Sequence, residues 1–140
     1  MFQYCTSLTT APELPATTLK FECYRGMFVG CSSLTTAPEL PATTLAEGCY
    51  RYMFSLCTSL TTAPELPATT LVSYSNNYMF NGCENLSYVK CLATNISASN
   101  SHTGWVTGVA SNGTFVKNAN MSGWPSGANG IPTGWTVINA

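Results

Sequence analysis

The chain has 140 residues, of which 8% are charged, and its formal net charge is −1. This length suits one compact domain or a short repeat array. The absence of a basic patch excludes an electrostatic footprint for nucleic acid or for an anionic membrane surface. No apolar run approaches the roughly 20 residues that span a bilayer.

The phrase SLTTAPELPATTL dominates the first half of the chain. It begins at Ser7, Ser33 and Ser59 without a single change, so successive copies lie 26 residues apart. A fourth unit begins at Met79 and departs from the others after Leu92. Self-similarity at a fixed period of about 20 to 29 residues is typical of a leucine-rich solenoid, in which neighbouring units share one core.

Four units therefore organise residues 1–92, and their first residues are Met1, Met27, Met53 and Met79. Because Met1 falls in register with internal repeat methionines, we expect the chain to be a fragment of a longer protein. The lack of a visible signal peptide then carries no information about where the protein is located.

Each unit is predicted to contain a short helix and a short strand. CYRGMFVGC (Cys23 to Cys31) places apolar residues at i, i+4, i+5 and i+8, which is one stripe at helical period. Gly26 and Gly30 predict that this helix is short and loose. LTTAPEL (Leu34 to Leu40) is predicted to be a strand that the neighbouring prolines limit to a few residues.

The register also predicts the core. We expect one phenylalanine, one cysteine and one leucine of each unit to point inward and to stack on their equivalents in the next unit. These residues are Phe2, Cys5, Leu8, Phe28, Cys31, Leu34, Phe54, Cys57, Leu60, Phe80, Cys83 and Leu86.

The unit resembles a known class of repeat. Leu-x-x-Ala-x-x-Leu-Pro, followed by Thr-Leu, Cys-Tyr, Met-Phe-x-x-Cys and Ser-Leu, is similar to the BspA-like leucine-rich repeats of Bacteroides-type cell-surface proteins. The resemblance covers residues 1–92 and implies an α/β repeat, a right-handed leucine-rich-repeat solenoid of about 3.5 units. It also implies an extracellular or bacterial cell-surface location and a role in host-protein binding, adhesion or aggregation.

Residues 93–140 change in character, because Gly, Asn, Ser and Trp dominate them. We interpret this segment as a C-terminal cap, since the last turn of a solenoid exposes apolar core. Within it, GTFVKNA is predicted to contain a strand. The alternative for Trp105, Trp124 and Trp135 is a sugar-stacking site, although large aromatics inside a small cap are commoner.

The seven cysteines are predicted to be free thiols that pack as small apolar side chains. No Cys-x-x-Cys pair occurs and the one histidine, His102, lies in the tail, so the sequence predicts neither a metal site nor a cofactor. Cys23 and Cys31 would lie about 12 Å apart along a helix, which is too far for a disulfide.

The repeated phrase supplies the candidate binding face. If the alanine of each Ala-Pro-Glu points inward, the flanking side chains point outward, and stacking places them in rows. The face comprises Thr10, Thr36, Thr62, Pro12, Pro38, Pro64, Glu13, Glu39 and Glu65. Solvated glutamates are the expected interpretation, a cation-binding ladder is the alternative, and threonine rows leave ice binding as a further one.

No enzyme activity is predicted, because the chain has no aspartate, one histidine and no nucleotide fingerprint. The preferred hypothesis is a non-catalytic cell-surface or secreted module that binds a protein or glycan on a host or neighbouring cell. A repeated surface suits multivalent contacts of low affinity. The alternative is a structural subunit of a head-to-tail fibre or stalk that self-associates through open solenoid ends. Neither hypothesis involves nucleic acid or membrane insertion.

Overall fold

A computed structural model describes residues 1–140, and it contains three strands and no helix. The strands are β1 (Tyr88–Cys91), β2 (Thr114–Lys117) and β3 (Thr136–Asn139). They form one parallel sheet in the order β1-β2-β3, in which Val89 pairs with Phe115. Turns, loops and isolated parallel bridges make up the rest of the chain.

The prediction of an α/β leucine-rich-repeat solenoid with a helix in every unit is wrong. In the segments predicted to be helical, φ is positive at Gly26 and Gly30 and, one unit later, at Gly48, Tyr52 and Leu56. A left-handed residue at every fourth position cannot belong to a right-handed α-helix. The structure therefore has no helix with the length and apolar character needed to cross a membrane.

These segments are chains of tight turns whose backbone donors alternate between two kinds of partner. The N–H of Val29 donates to the carbonyl of Gly26, three residues earlier, at 3.2 Å. The N–H of Gly30 donates instead to the carbonyl of Ser55 in the next unit, at 2.8 Å. Alternate N–H groups thus hold the turn together and join it to its neighbour, so a segment without helix leaves few donors unsatisfied.

Consecutive units lie side by side in parallel register. The N–H of Phe28 donates to the carbonyl of Met53 at 2.9 Å, and Phe54 repeats this bond with Met79 at 2.9 Å. The predicted strand of each phrase is wrong, because only isolated bridges such as Thr10 with Thr36 join the first units there. The parallel stack therefore depends mainly on the turn segments.

A column of aromatic rings runs through the core. Phe28 stacks on Phe2 at a centroid distance of 5.7 Å and on Phe54 at 5.6 Å, and Phe54 stacks on Phe80 at 5.7 Å. Trp105 of the tail continues the column at 6.3 Å from Phe80. Identical rings at one position of successive units can stack because the units are in register.

Burial of the predicted core residues depends on the unit to which they belong. In the first unit Phe2 and Leu8 are half-buried and Cys5 is exposed. The remaining nine are buried: Phe28, Cys31, Leu34, Phe54, Cys57, Leu60, Phe80, Cys83 and Leu86.

The tail, residues 93–140, extends the parallel stack. The strand predicted in GTFVKNA is confirmed as β2, which pairs with β1 on one side and with β3 on the other. The indole N–H of Trp105 donates to the carbonyl of Gly130 at 3.0 Å, and that of Trp135 donates to the carbonyl of Ala110 at 2.8 Å. The tail is therefore tied to the fourth unit and to itself by both backbone and side-chain bonds.

Candidate functional site

Two adjacent grooves lie between the Ala-Pro-Glu-Leu-Pro loops of the first three units. The first has a volume of about 530 Å³ and the second a volume of about 480 Å³. Ala37, Pro38, Glu39 and Pro41 of the middle loop line both grooves. Residues of the first copy complete one groove, and Pro64, Glu65 and Pro67 of the third copy help to complete the other.

Proline explains why the loops separate at this place. Bridges join the first two units at Thr10 with Thr36 and at Thr18 with Thr44. Between those bridges, from residue 12 to residue 17, no backbone hydrogen bond reaches the next unit. Two prolines per loop remove two donors and hold the backbone away from ladder geometry, so each pair of loops diverges and leaves a groove.

The fourth unit shows the contrast, because it carries Val-Lys-Cys-Leu-Ala where the others carry Ala-Pro-Glu-Leu-Pro. Without proline the backbones pair: the N–H of Leu66 donates to the carbonyl of Lys90, and the N–H of Leu92 donates to that of Leu66, both at 3.0 Å. This segment is β1, and it closes the space beside the third loop.

A buried leucine fixes each loop to the core while its glutamate stays outside. Leu14, Leu40 and Leu66 are at most 9% exposed. The glutamate that precedes each of them is exposed in all three copies. In each loop the leucine therefore points into the core and anchors the loop, while the preceding glutamate points outward and presents a carboxylate at the same position of each groove wall.

The first groove is the more acidic of the two, because both of its glutamates lack a cationic partner, whereas one glutamate of the second groove is paired with a lysine. Glu65 Oε2 lies 3.0 Å from Lys90 Nζ, with the Lys90 side chain 30% exposed. No ion pair involves Glu13 or Glu39. The row therefore ends in a neutralised pair and leaves two free carboxylates beside the first groove.

The remaining residues of the predicted face differ from one another in exposure. Thr10, Thr36 and Thr62 are exposed. Pro12 is also exposed, whereas Pro38 is buried and Pro64 is half-buried, because neighbouring loops cover them. The structure brings no group of three or more His, Cys, Asp or Glu side chains together in a way that could hold a metal ion.

The thiols of the repeat lie mainly in the core, and all seven are free. Cys57 Sγ donates to the carbonyl of Phe28 at 3.2 Å, and Cys83 Sγ donates to that of Phe54 at 3.0 Å. Burial raises the pKa of Cys49 and of Cys83 to about 12. A thiol that keeps its proton at neutral pH is a poor nucleophile and a poor metal ligand.

The tryptophans of the tail pack inward. Trp105 and Trp135 are at most 7% exposed, and Trp124 stacks on Trp105 at a centroid distance of 5.2 Å. The His102 ring meets Trp124 edge-on at 5.6 Å, and burial lowers the pKa of this histidine. The geometry leaves no stacking face on Trp105 or Trp135 for a sugar.

Sequence reasoning missed two contacts, one beside the grooves and one in the turn segments. Lys90 was not linked to Glu65, although it replaces a residue of the repeated acidic phrase. Arg51 was not singled out either, and its guanidinium lies between the rings of Tyr52 and Tyr74, at 5.3 and 5.0 Å from their centroids. The signal for Arg51 was available, since tyrosine recurs beside basic residues in the turn segments.

No family model, no curated protein and no solved structure matches this chain. The resemblance to BspA-like repeats therefore stays a prediction based on the motif, and the helix that it implies is absent from every unit.

Proposed function

We propose that the chain is a non-catalytic binding module that receives an extended segment of a partner protein in the two grooves of the Ala-Pro-Glu-Leu-Pro loops. The resemblance of the motif supports an extracellular or cell-surface setting for this contact. The observation that carries the proposal is the pair of adjacent grooves with the same chemistry, formed where proline keeps parallel loops apart.

The composition of the grooves favours binding over catalysis. Their walls repeat one set of proline, alanine, leucine and glutamate side chains. Acid–base catalysis needs two titratable groups in different environments, whereas repetition supplies the same environment twice. Two adjacent grooves with related linings suit a ligand that makes two weak contacts at once.

The repeat offers a matched pair of variants for a test. Thr17 is exposed and lines the first groove, while Thr69 is exposed at the same position of the third copy and lines neither groove. Thr17→Trp is expected to fill the first groove, and Thr69→Trp places the same ring outside both. A displayed library of random linear peptides, selected on the wild-type protein, supplies the probe.

We expect the selected pool to bind the wild type and Thr69→Trp equally and to bind Thr17→Trp more weakly. Equal binding of all three proteins, or failure to enrich any pool, would contradict the proposal. Concentration-dependent rods in negative-stain images would instead favour the fibre subunit that the sequence leaves as the alternative.

A further inference from the structure

Resting on the proposed function, we infer that the grooves select a polypeptide segment that presents lysine or arginine side chains to Glu13 and Glu39. Three observations carry this step. The first groove has apolar walls with free carboxylates at its rim, and Lys90 contacts Glu65 within the chain. Glu65 also occupies the same position of the repeat as the two free glutamates.

The rim of the first groove carries uncompensated negative charge. Glu13 and Glu39 both line this groove, both are exposed, and neither has an ion-pair partner. Glu13 and Glu39 stand on neighbouring loops that border this one groove, so their like charges repel each other across it. A cation between them would relieve this repulsion.

The walls suit the stem of a long basic side chain. Ala11, Pro12, Ala37 and Pro41 contribute apolar atoms to the first groove beside the two glutamates. Lysine and arginine place methylene groups on apolar surface and keep the charged end in water. An acidic or purely polar segment would lose one of these two contacts.

The chain itself contains the proposed contact. Lys90 belongs to β1, which runs parallel to the third loop and bonds to the backbone of Leu66. Its ammonium lies 3.0 Å from Glu65. An extended segment with a lysine at the right register therefore neutralises one glutamate of the row, and the other two glutamates remain available to a segment from another chain.

The test uses a synthetic hexalysine peptide as the probe, with a neutral glycine–serine hexapeptide for comparison. The groove variant is Glu13→Gln with Glu39→Gln. Its matched control is Glu47→Gln with Glu84→Gln, which removes the same net charge from exposed glutamates that line neither groove. Titration calorimetry at low ionic strength measures affinity, and circular dichroism checks that each variant folds.

We expect the groove variant to bind hexalysine roughly fivefold more weakly than the wild type, since two exposed ion pairs are lost, while the control changes by less than about twofold. Lys90→Gln should free Glu65 and strengthen hexalysine binding. Equal weakening in the groove variant and the control would reduce the effect to net charge and overturn the inference.

The two proposals fail in different ways. If Thr17→Trp weakens the selected peptide pool but hexalysine binding ignores Glu13 and Glu39, the groove is a binding site without basic preference. If the glycine–serine peptide binds as well as hexalysine, the inference of a cationic ligand is also overturned. If hexalysine binding ignores the two carboxylates and no linear peptide is enriched either, both proposals fail together.

Discussion

At the scale of single residues, Gly82 is one of the turn glycines that combine a positive φ with a close neighbour in the adjacent unit. Its φ is 76°, and a Cβ added there would lie 2.6 Å from Leu56 Cδ2 in the preceding unit. We expect Gly82→Ala to lower the free energy of unfolding by about 1–3 kcal/mol, because it combines backbone strain with displacement of a neighbouring side chain. Urea denaturation measures the change.

Two further glycines separate strain from contact. Gly108 has a φ of 72°, but its nearest neighbour to an added Cβ is the Gly82 Cα at 3.6 Å, so Gly108→Ala should show the strain alone. Gly123 lies outside the positive-φ positions and its nearest contact is 3.5 Å, so Gly123→Ala should change little. Equal losses at all three sites would refute this account.

Asn76 is a buried residue that the fold does not fully satisfy. Its side chain is 1% exposed, its Oδ1 has no hydrogen-bond partner, and it lines a small cavity with Tyr50 and Leu71. We expect Asn76→Leu to raise the free energy of unfolding by about 1 kcal/mol, because it replaces an unpaired polar group by an apolar one. Thermal and urea denaturation measure the effect.

The adjacent Asn77 provides the control for that substitution. It is 3% exposed, and its Oδ1 accepts a hydrogen bond from Arg51 Nε at 3.1 Å. Asn77→Leu should destabilise the protein, since it leaves the guanidinium without that acceptor. Stabilisation by both substitutions, or by neither, would show that hydrogen-bond satisfaction does not distinguish the two sites.

At the scale of elements, the turn segment shows what the sequence could and could not reveal. Apolar residues recur every four positions in a chain of turns, and this spacing also satisfies a helical stripe. From the sequence, Gly26 and Gly30 predict a loose helix, but both residues adopt a positive φ, which is incompatible with a right-handed helix. One unit later, Tyr52 and Leu56 occupy the positions of these glycines and also have a positive φ. The sequence does not reveal this, because non-glycine residues seldom adopt positive φ.

A stricter signal was present in the second and third units. The residue that follows each left-handed position there is buried, as Cys49, Met53 and Cys57 illustrate at 0% exposure. A four-residue period of left-handed residue and core residue is specific to this turn chain. Secondary-structure propensity alone could not predict this chain of turns, since backbone hydrogen bonds to the next unit determine its conformation.

The aromatic column is the element on which unit-to-unit packing most depends. Phe54 is fully buried between Phe28 and Phe80, with centroid distances of 5.6 and 5.7 Å. We expect Phe54→Ala to lower the free energy of unfolding by about 3–5 kcal/mol. Phe21 is 67% exposed, so Phe21→Ala should cost less than about 0.5 kcal/mol. Similar costs in urea denaturation would argue against the column.

At the scale of the whole molecule, parallel register was the part of the architecture that repetition could predict. The first 92 residues stack at intervals of one unit because identical sequences place identical groups side by side. The tail was harder, since only GTFVKNA signalled its strand, and the pairing of β2 with both β1 and β3 depends on contacts that no local pattern contains. The grooves were likewise hidden, because loop separation follows from hydrogen bonds that proline prevents between units.

The buried thiols of the core make the stability of the whole molecule fall at alkaline pH. Burial raises the pKa of the Cys49, Cys83 and Cys91 thiols from 9.0 to about 12. Between these values the unfolded state has lost thiol protons that the folded state retains. The free energy of unfolding therefore keeps its full value below pH 9.0. It falls as pH rises through the window, by about 1.4 kcal/mol per pH unit for each such thiol.

Urea denaturation at about pH 7.5 and about pH 10 measures this slope. Cys91→Val removes one buried thiol, so the loss of stability between the two pH values should shrink by about 1.4 kcal/mol, the share of one thiol over one pH unit above its unfolded pKa. Val89→Ala, at a fully buried position of the same strand, should lower stability at both pH values equally, because it removes no titratable group. If Cys91→Val and Val89→Ala shift the two values in parallel, the thiols of the core do not account for the pH dependence.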